Sequence, residues 1–269
     1  MWVIALGRLG MREFDLASDA DLVFVLEDAD AGEIVFWTRV AENIIALLTA
    51  YTGEGVLFAV DTRLRPNGGG GPLVQTESAV RDYFGRTAEA WEGITYMKSR
   101  VVAGNAARAE SFLHLLQEVD WRRYGQSGRS RKDLRQMRLR LEKEQGASHP
   151  LKAGRGGYYD IDFLLMYLRL KSAGIFFKVL NTPARIEVLE SMGHLDRAEA
   201  GFLDQAATFY RALDHALRVL SGHAEGKLPG SEALLENLRE LVRRWTPVPL
   251  DQLGEIRART RALFDRMFG

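Results

Sequence analysis

Asp19 and Asp21, one residue apart in Ser18-Asp19-Ala20-Asp21, are the residues whose spacing first suggests chemistry. They open the apolar run Leu22-Val23-Phe24-Val25-Leu26, which reads as a buried strand. In a strand, residues i and i+2 point to one face, about 7 Å apart. Two like charges placed that way repel unless a cation lies between them, and a divalent metal is the natural cation. A third carboxylate, Asp61, begins Asp61-Thr62-Arg63-Leu64-Arg65, so Asp61, Arg63 and Arg65 share a face by the same alternation. Hard oxygen ligands of this kind suit Mg²⁺ or Mn²⁺, and two such ions about 3.5–4 Å apart serve in-line displacement at phosphorus. The arginines would then meet phosphate oxygens. Upstream, Gly7-Arg8-Leu9-Gly10 makes a tight turn whose backbone N–H groups could hold a triphosphate. A glycine turn, then D-x-D on the next strand, then a lone Asp among arginines together point to a nucleotidyltransferase.

These residues need a sheet to position them. Trp2–Leu6, Asp21–Leu26 and Val56–Leu64 read as three strands, with a helix between Glu33 and Tyr51 whose apolar positions step by three and four. Pro66 and the run Asn67-Gly68-Gly69-Gly70-Gly71 close the third strand in a loop. From about Glu77 onward the helical period dominates, predicting helices at 77–90, 108–119, 130–145, 160–173, 183–191, 196–221, 231–244 and 251–267. Ser231 and the pair Thr182-Pro183 supply N-terminal signals for two of them. The expected class is α+β: a catalytic domain over 1–107 with a small mixed sheet, followed by an all-α helical domain over 108–269.

Composition narrows the function classes. The chain has 269 residues, with 36 basic and 36 acidic side chains, so no long-range field announces nucleic acid or an anionic membrane as a partner. It has no cysteine, which excludes a disulfide framework, a thiolate metal site and a Cys nucleophile. No apolar run approaches the roughly 20 residues of a membrane-spanning helix. A soluble protein of the reducing cytoplasm is expected. The five histidines show no metal-ligand spacing, and Trp37, Trp91 and Tyr83 read as core. The basic stretch Arg122–Lys143 reads as an amphipathic helix with a solvated face. Gly154-Arg155-Gly156-Gly157 is either a plain loop before a helix or a set of backbone donors for an anion.

Four blocks resemble one family, the glutamine synthetase (glutamate–ammonia ligase) adenylyltransferases of the DNA polymerase β-like superfamily. Gly7-Arg8-Leu9-Gly10…Glu13…Ser18-Asp19-Ala20-Asp21-Leu22 is similar to the family's G-K-L-G-G-x-E-L-x-x-x-S-D-x-D-L, and Asp61-Thr62-Arg63-Leu64-Arg65-Pro66-Asn67-Gly68 to its D-x-R-L-R-P-x-G. Trp91-Glu92…Lys98-Ser99-Arg100-Val101-Val102-Ala103-Gly104 resembles W-E…K-A-R-x-V-A-G, and Lys152–Phe163 resembles K-x-G-x-G-G-x-x-D-I-E-F. Arg8, Met11, Asp162 and Met166 depart from the usual Lys, Gly, Glu and Gln. Family members usually carry two such units in tandem, one adenylylating and one removing the adenylyl group. This chain covers one unit and begins directly on the first strand, as an excised unit or a shortened gene product would.

The resemblance implies that Asp19, Asp21 and Asp61 bind Mg²⁺ or Mn²⁺, with Asp61 also the general base. Gly7, Arg8, Leu9, Gly10, Ser18, Arg63 and Arg65 would bind the nucleotide. It implies transfer of AMP from ATP to a tyrosine hydroxyl of glutamine synthetase or, in the removing unit, phosphorolysis of adenylyl-tyrosine with release of ADP. The resemblance also points to a PII-type signalling protein as a further partner. A regulatory docking module that keeps the fold without catalysis is the reading from another class. The intact carboxylates argue against it, because such a module has no need of mutually repelling charges.

Overall fold

The computed structural model describes residues 1–125, 127–172, 181–224 and 226–269, with the side chains of 120 and 121 left aside. By its internal contacts the chain divides into two compact units, Met1–Ser127 with Leu170–Asn181, and Gly128–Arg169 with Thr182–Gly269. The division falls about twenty residues beyond the expected 107/108 boundary, because the helix over 106–120 packs on the sheet rather than with the later helices.

The first unit is built on β2 (Ala20–Leu26). One edge of β2 pairs antiparallel with β1 (Trp2–Ala5), which pairs antiparallel with β5 (Arg100–Ala103). Along its other edge two short parallel strands lie end to end, β3 (Val60–Asp61) beside Ala20 and Asp21, and β4 (Val74–Thr76) beside Phe24 to Leu26. Side chains alternate between the two faces as a strand requires. Trp2, Ile4, Leu6, Val23 and Val25 join one core with Val80, Phe84, Tyr96, Phe112 and Leu116. Those partners come from α3 (Glu77–Arg86), α4 (Ala90–Tyr96) and α5 (Ala106–Asp120). Val3, Ala5, Leu22, Phe24 and Leu26 face the other way, against Ala41, Trp37, Ile44 and Leu48 of α2 (Ile34–Thr49). Burial on both faces explains why β2 reads as an unbroken apolar run once past Asp21.

The third strand is much shorter than the expected 56–64. The Asp61 carboxylate accepts the backbone N–H of Arg63 at 2.8 Å, and Arg65 N–H donates to Thr62 O at 3.3 Å. A side chain bonding its own backbone two residues on competes with the ladder, and the chain turns away. One turn of helix, α1 (Gly7–Gly10), joins β1 to the loop before β2.

The second unit is helical: α6 (Gly128–Gln145), the first part of α7 (Tyr158–Ser172), α8 (Thr182–Ser191), α9 (Arg197–Ser221), α10 (Glu232–Arg243) and α11 (Leu253–Phe268). The predicted helix over 160–173 ends in residue 173, which lies outside the described residues. Helix α9 is the axis; α8, α10 and α11 pack on it. A capping box fixes its start, Asp196 accepting from Glu199 N and Glu199 accepting from Asp196 N, and Gly222 at φ +75 ends it. Ser231 caps α10 as expected.

Candidate active site

Pairing of β2 with β3 brings the carboxylates together. Asp21 and Asp61 are direct partners across this parallel pair, and Asp19, just before β2, shares the parity of Asp21. Asp19 is exposed, while Asp21 and Asp61 are half-buried. The Arg63 guanidinium lies in the field of all three. Its pKa is raised, first by the hydrogen bond to Asp61 and by that residue's charge, with Asp19 and Asp21 adding to it. In turn, Arg63 holds the Asp61 carboxyl below the usual carboxylate range, chiefly through that side-chain hydrogen bond and the Arg63 N–H, against the opposing effect of burial. Arg63 Nε is 3.0 and 2.9 Å from the two Asp61 oxygens and Nη2 is 2.5 Å from Oδ2.

Among the described residues no three His, Asp or Glu side chains are grouped so as to hold a metal ion, and the Asp61 carboxylate is turned onto Arg63. By donor chemistry alone, carboxylate oxygens such as these suit a hard divalent cation. Arg63, 79% exposed, feels the charge of all three carboxylates, and the absence of a side chain at Gly7 lets the Asp21 carboxylate lie against the turn. A Cβ on Gly7, at φ +55, would lie 2.2 Å from Asp21 Oδ2. Ser18 adds an independent sign. Its side chain is buried next to Asp19, yet its hydroxyl makes no hydrogen bond among the described residues, and a buried polar atom in that condition calls for a ligand or water.

The remaining expected nucleotide-binding residues divide by position. Arg8 donates to Glu13 O at 2.9 Å and to Asp15 at 3.0 Å, closing the loop between α1 and β2. Leu9 packs into the core on the α2 side of the sheet. Gly10 is buried where a Cβ would lie 2.0 Å from Lys98 O. Arg65 donates to Thr62 O, Thr62 Oγ1, Gly69 O and Gly71 O, all within 2.8–3.0 Å. It therefore pins the glycine-rich loop. Gln75 and Tyr96 hold the same loop, donating to Pro66 O at 3.0 Å and Leu64 O at 3.1 Å. Sequence reasoning missed this function of Arg65, Gln75 and Tyr96; the only signal for it was an arginine just before a glycine run.

The Gly154–Gly157 loop has a different setting. Asp160, fully buried, accepts the Gly156 N–H at 2.9 Å and pairs with Arg138 Nε at 2.6 Å and Arg261 Nη1 at 3.5 Å. Arg138 also donates to Gly154 O, Tyr210 OH to Gly156 O and Arg257 to Arg155 O. The loop is thus locked from several sides, which favours its plain structural reading. Met166, where the resembling family has Gln, is buried with its sulfur against the Arg185 guanidinium.

A match to the family described as Glutamate-ammonia ligase adenylyltransferase covers residues 1–115 and therefore all three carboxylates. The chain belongs to this adenylyltransferase family. Residues 126–248 also match the family described as GlnD PII-uridylyltransferase. Among curated relatives, the bifunctional glutamine synthetase adenylyltransferase/adenylyl-removing enzyme of Nitrosococcus oceani is 35% identical over 82% of this chain and 25% of its own length. The proteins of the same name from Hahella chejuensis and Nitrosomonas europaea are 32% and 30% identical over 86% and 99% of this chain. The chain spans about a quarter of the length of these adenylyltransferase relatives.

Proposed function

We propose that this chain is a metal-dependent nucleotidyltransferase unit that moves AMP from ATP to a tyrosine hydroxyl of glutamine synthetase, in the reducing cytoplasm. The observation that carries this reading is the register of Asp21 against Asp61 at the mouth of the Gly7 turn, with Asp19 in the same field. Asp19, Asp21 and Asp61 would hold Mg²⁺ or Mn²⁺, which supplies positive charge to the phosphate oxygens of the nucleotide. Asp19 and Asp21 orient the phosphates. Ser18 donates its buried hydroxyl to a phosphate oxygen. Asp61 accepts the tyrosine proton, a role open to a carboxylate within hydrogen-bond reach of the attacking oxygen. The tyrosine oxygen bonds to the α-phosphorus as the bond to the β-phosphate bridge breaks, and pyrophosphate leaves. Arg63, once exchanged off Asp61, is placed to offset charge on the phosphates. A PII-type signalling protein is proposed as an effector, supported by the match of residues 126–248 to the PII-uridylyltransferases.

The test is to incubate the chain with Mg²⁺ or Mn²⁺, glutamine synthetase and ATP labelled in the adenylyl group, beside a second reaction of adenylylated synthetase with phosphate. Label gained by the synthetase is the expected result. Adenylyl loss with ADP release would replace it with the removing reaction, and neither outcome despite nucleotide binding would overturn the acceptor.

A further inference from the structure

The segment Lys98-Ser99-Arg100 has no part in the chemistry above, yet it meets the Gly7–Gly10 turn on two sides. Arg100 comes from β5, paired with Ala5 at the end of β1. Its Nη2 donates to Leu9 O at 2.9 Å and its Nε to Gly10 O at 3.3 Å, across ninety residues of sequence. From the same segment, Lys98 O lies so close to Gly10 that a Cβ there would sit 2.0 Å away, with Ala5 O at 2.8 Å. Ser99 is buried and its hydroxyl donates to Tyr96 O at 2.5 Å, fixing the segment to the end of α4. The turn held in this way carries Gly7, whose Cα faces Asp21 Oδ2, and Leu6 N–H donates to Asp21 O at 2.9 Å.

We infer that Arg100 is a positioning residue for the metal-binding carboxylates: it caps the last carbonyls of the turn and so fixes Gly7 against Asp21. A one-turn helix has little stability of its own, since nucleation is costly and its terminal carbonyls are unsatisfied within the helix. A planar guanidinium reaches two successive carbonyls at the end of the turn, Gly10 O and Leu9 O, the latter also accepting the Arg12 N–H at 3.2 Å, and an ammonium, a single point of charge, reproduces this only in part. The inference rests on the proposed nucleotidyl transfer, because it gives the turn its functional meaning.

The experiment compares wild type with Arg100→Lys, Arg100→Gln and Arg100→Ala by steady-state transfer assay and amide hydrogen exchange. In Arg100→Ala the KM for Mg·ATP is expected to rise about tenfold and kcat to fall about tenfold, with the KM for the acceptor unchanged and the thermal midpoint close to wild type. Arg100→Lys should recover part of both losses. The Gly10 and Met11 amides, which donate to Leu6 O and Gly7 O, should exchange at least tenfold faster in Arg100→Ala. Wild-type kinetics and exchange in that variant would overturn the inference, as would equal loss toward nucleotide and acceptor. If Arg100→Ala fails to fold, the graded Lys and Gln variants decide by the same readouts. If wild type itself neither transfers AMP nor binds Mg·ATP, the proposed function has failed, while hydrogen exchange still reads the clamp.

Discussion

Asp61 and Asp160 are both aspartates bound to arginine, and they differ in everything else. Asp160 has no exposed surface; Arg138 is equally buried and Arg261 nearly so, and Glu142, Asp265 and the more exposed Arg155 complete a set of three carboxylates and three guanidiniums. Asp61 keeps 17% of its side chain exposed and its partner Arg63 is 79% exposed, while three carboxylates act on that guanidinium. In the first cluster the charges are matched and its centre is shut in, so Arg138 and Arg261 cannot leave without stranding Asp160 in the interior. In the second, negative charge is in excess and its counter-cation is solvated, so exchange for a metal ion costs little. Charge balance and solvent access, rather than the presence of an ion pair, separate a structural aspartate from one available to chemistry.

The largest effect that tests this contrast is on turnover. Asp21→Asn or Asp61→Asn should lower metal-dependent transfer about a thousandfold, as the loss of several kcal/mol of transition-state stabilisation implies. The thermal midpoint of Asp21→Asn should hold or rise, because neutralising one of two facing carboxylates relieves repulsion, whereas that of Asp61→Asn should fall slightly, because the ion pair with exposed Arg63 is given up. Transfer assays beside calorimetry check both halves, and undiminished turnover in either variant removes that residue from the site.

Asp160→Asn should do the reverse to stability. It leaves Arg138 buried beside a neutral group, and breaking one side of a buried pair costs about 3–5 kcal/mol. Urea denaturation should show the loss, and a change under 1 kcal/mol would mean that the network is less tightly closed than its distances indicate.

Between these extremes stands Arg65, whose guanidinium is committed to the carbonyls of the glycine-rich loop. Arg65→Ala should cost about 2 kcal/mol, the order expected when several charge-assisted hydrogen bonds are lost from a half-exposed setting. Limited proteolysis should open the loop between Thr62 and Gly71. An uncut loop would return Arg65 to the phosphate-binding role that its place beside Arg63 suggested.

How much of this was legible beforehand follows from length and period. Helices α9 and α10 carry long apolar stripes and recognisable caps, so their limits were readable to within a residue or so. Strand β4 has three residues, β5 has four and α4 has seven, too few for a period to declare itself. Asp19 and Asp21 could be given a common face from residue type and alternation alone, whereas the place of Asp61 opposite Asp21 depends on the register of β3 against β2. The pairing of Asp61 with Arg63 was not readable either, since it depends on the backbone turning after Asp61. Nor could spacing show that Arg100 reaches Leu9 and Gly10, a contact made only when β5 adds to the edge of β1.

The smallest effect comes from a third aspartate, one that is exposed and serves a helix end. Asp28 accepts the Ser78 N–H at 3.0 Å in the first turn of α3, where the helix has N–H groups without intrahelical partners. That backbone hydrogen bond, with the Ser78 hydroxyl and the charge of Arg81, lowers the Asp28 pKa from its ordinary 3.8 despite a small opposing effect of burial. A carboxylate whose pKa falls on folding contributes its stability above the unfolded pKa and loses it as pH drops through the folded value. Asp28→Ala should therefore cost about 0.5 kcal/mol at neutral pH, the low end for a capping acceptor because solvent screens it. The gap between variant and wild type should narrow as pH falls below 3.8, once the wild-type carboxylate is protonated. Denaturation midpoints of the two proteins, measured from pH 7 downward, would converge. A gap that stayed constant would assign the effect to packing of the side chain and not to its charge.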